Sequence, residues 1–358
     1  MTDKNKISAT LKEGVLKNKP YTLAPENTPV KLNQNESPFD IPAGIKDRIL
    51  KKMKKTRWNI YPDFIPGELY EKIASFYGFS RENILIGNGS NEMIFTILAA
   101  SLEKEKKVII PAPTFAVYSL ISSNLNADIK TVFLNEDFSF NTDNIIKECG
   151  SAGSVTILCS PNNPTGTALK RVDIEKIIKA SGGTVVVDEA YIHFGGETVI
   201  DLVDRYENLI VLRTFSKAFG LAGLRMGIMV SNKNLISELA KVKLPYNLNI
   251  LTLITLDEMF DNIDFVDENI KKILAERDYL GAELAKIKSI KVIPTSANFF
   301  LVKTEDSSSL FSTLLEQGIR VRDVSSYPML ENHLRISVGS RNENQALIRS
   351  LKNIFSFI

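Results

Sequence analysis

The sequence predicts an α/β protein: a large domain with a mainly parallel sheet covered by helices on both faces, plus a smaller α+β domain. Three observations carry this reading. Short, continuous apolar runs over 155–159, 184–187 and 208–211 alternate with helical patterns, as strands buried on both faces do. Polar loops over 87–92, 111–115, 160–166, 188–191 and 214–217 follow strand-like runs, which is where ligand crevices form in such sheets. A long amphipathic pattern over 264–286, with Phe265, Ile270, Ile273, Leu274, Leu280 and Leu284 at helical spacing, leads into a second group of elements. The 358 residues leave room for two domains. The division expected is an N-terminal arm (1–30) associated with the small domain, a large domain (31–262) and a small C-terminal domain (263–358).

In chain order, Pro25 and Pro29 keep the arm from forming a long helix, and 31–38 is a polar turn. Helices are expected over 43–54 and 67–77, separated by an extended loop around Pro62. A strand over 84–86 leads into Gly87-Asn88-Gly89-Ser90-Asn91-Glu92 and a helix reaching 102. Strand 107–110 passes through a loop to a helix ending near 123, and strand 131–134 follows. Strand 155–159, helix 172–180, strand 184–187, strand 208–211 and strand 226–230 complete the large domain. Beyond the 264–286 helix come strands 289–293 and 298–302, a helix over 308–317 capped within Ser307-Ser308-Ser309, the run 319–323, strand 333–338 and a last helix over 342–355.

Composition excludes several classes. Hydrophobic content of 44%, charged content of 24% and a net charge of +2 describe an ordinary globular chain with no nucleic-acid footprint. The cluster Lys51, Lys52, Lys54, Lys55 and Arg57 reads as a solvated helix face. Two cysteines, Cys149 and Cys159, form no disulfide framework, and two histidines, His193 and His333, argue against a metal site. No apolar run, the N-terminus included, approaches the ~20 residues of a membrane span. The expectation is a cytoplasmic protein with neither membrane, metal nor nucleic acid as partner.

The chemistry centres on Leu212-Arg213-Thr214-Phe215-Ser216-Lys217-Ala218-Phe219-Gly220-Leu221-Ala222-Gly223-Leu224-Arg225. Lys217 could be a solvent-facing loop residue. In apolar surroundings its amine would instead lose its proton readily, and a neutral amine can form a Schiff base with an aldehyde. If that aldehyde is pyridoxal phosphate, each further demand has a candidate. Asp188, at a strand end, can pair with the ring nitrogen, and Tyr191 and Asn163 with the ring oxygen. Phe115 can stack on the ring. Ser90 and Asn91 at a helix start, with Thr214, Ser216 and Arg225, can hold the phosphate.

These motifs, with Lys19-Pro20-Tyr21, Asn33-Gln34-Asn35-Glu36, Tyr61-Pro62-Asp63, Ser160-Pro161-Asn162-Asn163-Pro164-Thr165-Gly166, Val321-Arg322-Asp323 and Leu334-Arg335-Ile336-Ser337-Val338-Gly339, resemble those of the fold-type I, class I/II pyridoxal-phosphate aminotransferases. Within them the branch acting on histidinol phosphate is the most similar. The resemblance implies a homodimeric transaminase that exchanges an amino group between small amino and oxo acids. It implies catalytic roles for Lys217, Asp188 and Tyr191, and makes Tyr61 a cofactor contact supplied by the neighbouring subunit. Arg335 would bind the substrate carboxylate or phosphate, supported by Tyr21 and Arg322; the lesser alternative for Arg322 is a surface ion pair with Asp323. His193 stands where many family members carry an acid; it either lines the substrate pocket or packs behind it. Substrates left open are aromatic amino acids and threonine phosphate, the latter decarboxylated, and a catalytically silent regulator is the rival outside enzymology.

Overall fold

The computed structural model describes residues 10–22, 28–103 and 106–356. Pro25 and the first nine residues of the expected arm lie outside them. The strands are β1 (Val30–Lys31), β2 (Ile84–Gly87), β3 (Lys107–Ala112), β4 (Asp128–Phe133), β5 (Val155–Cys159), β6 (Thr184–Asp188), β7 (Leu209–Thr214), β8 (Gly227–Ser231), β9 (Lys291–Ile293), β10 (Phe299–Lys303), β11 (Ile319–Arg320), β12 (Arg322–Asp323) and β13 (His333–Ser337).

Seven of them form one sheet in the order β2-β8-β7-β6-β5-β3-β4. The pairs β4·β3, β3·β5, β5·β6 and β6·β7 are parallel, and β8 runs antiparallel to both β7 and β2. The period-2 geometry of a strand divides each apolar run between two cores. Val185, Val187, Leu209 and Val211 join one, packed under helices Ala43–Lys55, Gly67–Tyr77, Arg171–Ala180 and Ile250–Phe260. Val186, Ile210 and Leu212 join the other, under helices Ser90–Ser101, Ala116–Asn124 and Lys233–Ala240. Val185, Val186 and Val187 are all buried; each contributes about 1.5–3 kcal/mol relative to an exposed side chain.

A four-stranded antiparallel sheet, β12-β13-β10-β9, follows the 21-residue helix Asp264–Leu284. Strand β1 pairs in parallel with β11, which attaches the segment after the arm to this C-terminal group. Leu32 N–H donates to Arg320 O at 2.8 Å and Leu32 O accepts from Ser337 N–H at 2.9 Å, continuing that attachment.

Among the helices not foreseen are Thr142–Cys149 and Lys233–Ala240. Each is announced by an asparagine cap, Asn141 accepting from Asn144 N–H and Asn232 from Leu235 N–H. The serine run does not cap Ser307–Glu316. Asp306 does, its carboxylate accepting from Ser309 N–H at 2.9 Å, since an anion at a helix start gains from the dipole as well as the bond.

Candidate active site

Parallel pairing aligns the carboxyl ends of β5, β6 and β7, placing Cys159 opposite Asp188 and Asp188 opposite Leu212. Asp188 Oδ1 accepts from Ala190 N–H at 3.0 Å, and Oδ2 accepts from the Tyr118 hydroxyl at 2.8 Å. Burial pushes its carboxyl pKa up, while those two donors oppose the shift. After β5, Asn162 accepts from the Thr114 hydroxyl at 2.6 Å and donates to Pro113 O at 2.9 Å, pinning the 160–166 turn to the loop that carries Phe115. Tyr191 OH accepts from Asn35 Nδ2 at 3.0 Å; burial raises its phenol pKa and Arg335 acts the other way.

Lys217 follows β7 and does not face solvent. Its Nζ lines the cavity and donates to Gln34 O at 2.7 Å, 5.8 Å from the Tyr191 ring centre. Burial, then the positive charge of Arg335, lower its pKa to about 7. A substantial share of the amine is therefore neutral and nucleophilic at neutral pH.

Helix Ser90–Ser101 opens next to these loops, with Gly89 as a cap that offers no side-chain acceptor. Its first amides are thus available to an anion. Arg225, itself left-handed at φ 54°, donates from Nη1 to Ser216 Oγ and to Ala222 O, both at 3.1 Å. Gly89 has φ +81°, and a Cβ on it would meet Arg225 Nη2 at 2.7 Å; a Cβ on Gly227 would meet Ser90 N at 2.5 Å. The cup of amides, hydroxyls and guanidinium closes only because both positions are glycine, and its donor set fits a phosphate dianion.

On the opposite wall Arg335 is buried. Its Nη1 donates to Asn163 Oδ1 and its Nη2 to Asn33 O, both at 2.5 Å, while Nε has no hydrogen-bond partner among the described residues. Its cross-strand partner is Arg322, and Tyr21 and Tyr327 line the same wall. Asp323 turns elsewhere, accepting from Ser325 N–H at 2.9 Å.

One cavity of about 440 Å³ thus gathers Lys217, Asp188, Tyr191, Asn163 and Phe115 with Ser90, Asn91, Thr214, Ser216 and Arg225, and with Arg335, Arg322 and Tyr21. Two expected contacts are not in it. Tyr61 is 77% exposed and stacks on Tyr246 with ring centres 4.5 Å apart. His193 is not among the residues lining the cavity. The 3-10 turn Ile192–Phe194 directs its ring edge-on to Phe219 at 5.8 Å, in an apolar pocket near Arg213 that lowers its pKa to about 3. Sequence reasoning missed Tyr118, Tyr327, and the backbone and side chains of 33–35. Of these, only Asn35, a side-chain hydrogen-bonder within the polar run 31–38, left a signal in the sequence.

The family model for aminotransferase class I and II matches residues 27–351. The chain belongs to the class I and II aminotransferase family. It is 40% identical over 349 residues to a histidinol-phosphate aminotransferase of Prosthecochloris aestuarii, spanning 96% of this chain and 98% of the relative. It is 44% identical over 325 residues to one of Thermoanaerobacter sp. strain X514, spanning 90% and 92%. The histidinol-phosphate aminotransferase of Sinorhizobium meliloti, solved in complex with pyridoxal 5'-phosphate, superposes with a TM-score of 0.87 over 98% of both chains at 20% identity, a likeness of fold. This aminotransferase uses pyridoxal phosphate, and the cavity's anion cup and buried carboxylate fit that group. Among the described residues there is no cluster of metal-ligating side chains, and no helix is long and apolar enough to cross a membrane.

Proposed function

We propose that this aminotransferase acts on histidinol phosphate, moving an amino group between glutamate and imidazole-acetol phosphate in histidine synthesis. The observation that carries the reading is the pair of arginines, Arg322 and Arg335, on adjacent strands of one cavity wall. Such a pair suits a substrate that is a carboxylate in one half-reaction and a phosphate ester in the other. The names of the relatives agree with it.

Bound pyridoxal phosphate supplies an aldehyde and a ring that takes up electron density from the substrate carbon. The residues of the chain do the rest. Ser90 and Asn91 amides, the Thr214 and Ser216 hydroxyls and Arg225 hold the phosphate. Asp188 would pair with the ring nitrogen, Asn163 and Tyr191 with the ring oxygen, and Phe115 would stack on the ring. Lys217 Nζ would hold the cofactor by its aldehyde carbon and, as a free amine, would carry a proton between the substrate carbon and that aldehyde carbon. Arg335 and Arg322, with Tyr21, fix the far end of the substrate so that this carbon stays beside Nζ.

The reading extends to a cytoplasmic homodimer of chains with a large domain (31–262) and a small C-terminal domain (263–358). Trp58, Tyr61, Phe64 and Ile65 are 72%, 77%, 55% and 57% exposed, an apolar group suited to burial against a second subunit, with Tyr61 reaching the neighbouring phosphate cup. Buried, unpaired Cys149 and Cys159 suit a reducing compartment. Steady-state assays with histidinol phosphate, phenylalanine and threonine phosphate test the substrate. Turnover of the first should exceed the others, and its absence would sink the assignment.

A further inference from the structure

We infer that Tyr118 is a positioning residue for the cofactor, its hydroxyl aiming and holding ionised the Asp188 carboxylate while its ring props Phe115 in place. The inference rests on the assignment of Asp188 to the ring nitrogen. Tyr118 lies in the first turn of helix Ala116–Asn124, an element with no other polar contact to the strand ends described above, and it is 1% exposed. Its hydroxyl donates to Asp188 Oδ2 at 2.8 Å, and its ring stands at 87° to Phe115 with centres 5.5 Å apart. One side chain therefore touches both the group that would pair with the ring nitrogen and the group that would cover the ring face.

The electrostatics give the contact its consequence. A buried carboxylate is costly unless its lone pairs are occupied. Glu189 and Tyr191 interact with Asp188 through charge, and three groups stand at its oxygens or directly across from it. Ala190 N–H occupies Oδ1; Cys159, directly across on β5, directs its thiol to Pro161 O at 3.5 Å; Tyr118 occupies Oδ2. Burial pushes the Cys159 thiol to about 12 and raises the Tyr118 phenol well above its usual value, so both stay protonated and neutral. Tyr118 is consequently the one side-chain donor to this carboxylate among the described residues. Without its hydroxyl, Oδ2 keeps its desolvation cost and loses its donor, the carboxylate takes up a proton more readily, and its pairing with a protonated ring nitrogen weakens.

The test is Tyr118→Phe, which keeps the ring against Phe115. Cofactor affinity, followed by absorbance titration of cofactor-free protein, should fall about tenfold, the usual effect of losing a hydrogen bond to a charged group. The pH midpoint of the bound cofactor's absorbance should move. Two further arms separate aim from packing. With the cofactor analogue whose ring nitrogen is replaced by carbon, and in an Asp188→Asn background, the hydroxyl should no longer matter. An unchanged affinity and pH midpoint in Tyr118→Phe would overturn the inference, as would an equal loss for cofactor and analogue. A wild-type protein that binds cofactor and analogue equally would instead remove the assignment of Asp188.

Discussion

Arg322 and Arg335 are direct cross-strand partners on β12 and β13, two like charges facing the same cavity. Such a pair is destabilising on its own, by about 0.2–1 kcal/mol, and an anion between them offsets that. Arg335→Lys, which loses the guanidinium fork, should lower kcat/KM about a hundredfold for both half-reactions. Arg322→Gln should raise KM for the phosphate-bearing substrate roughly tenfold or more while leaving glutamate less affected, and should slightly raise the melting temperature without ligand. Half-reaction kinetics and thermal scans check both.

Lys217 titrates near 7 in the folded protein against an ordinary 10.5. Between those values the unfolded chain binds the proton that the native one lacks, so stability rises with pH from about 7 to 10.5 and carries its full penalty below 7. Lys217→Met should therefore stabilise the cofactor-free protein at and below pH 7, by an amount of order a few kcal/mol that fades toward pH 10, while abolishing covalent cofactor attachment. Melting temperatures across pH, and intact mass after borohydride reduction, measure the two effects.

Gly89→Ala places a methyl 2.7 Å from Arg225 Nη2 on a backbone at φ +81°. The expected cost to folding is about 1–3 kcal/mol, and cofactor affinity should fall with it because the arginine must leave the cup. Denaturant unfolding and cofactor titration read these out separately.

His193, with its pKa lowered to about 3 by burial and by Arg213, is neutral in the native state and must charge on unfolding in acid. Native stability is then lost as pH falls from 6.5 toward 3, by about 2 kcal/mol near pH 5. His193→Leu should flatten that acid limb and leave substrate KM unchanged, as expected of a ring packed on Phe219 rather than on substrate. Urea unfolding at pH 5 and pH 7.5 provides the comparison.

The parts of the site that follow strand ends were legible because strand, turn and helix each write a local pattern. Asp188 ends a valine run, Lys217 sits in a run of small and apolar residues, and Gly87-Asn88-Gly89 precedes a helix. The contacts that were not legible join segments far apart in the chain. Asn33 and Gln34 act through main-chain carbonyls, which any residue possesses, so no side-chain pattern reports them. Tyr118 occupies a buried helical position where an aromatic residue normally only packs, and its hydroxyl bond depends on where β6 ends. His193 was ambiguous for a related reason: one residue of a 3-10 turn decides which side of the loop its ring takes.

Three successive residues carry a consequence for when the enzyme becomes complete. Asn33 O receives Arg335, Gln34 O receives Lys217, and the Asn35 side chain binds Tyr191 and Ser337. Asn33 and Arg335 lie 302 residues apart in the sequence. The tripeptide is therefore synthesised before almost every other element, and its outermost contacts close a loop of that length at an entropic cost. A chain that ends before β13 lacks Arg335 and Ser337, and with them the partners of Asn33 O and Asn35 Oδ1.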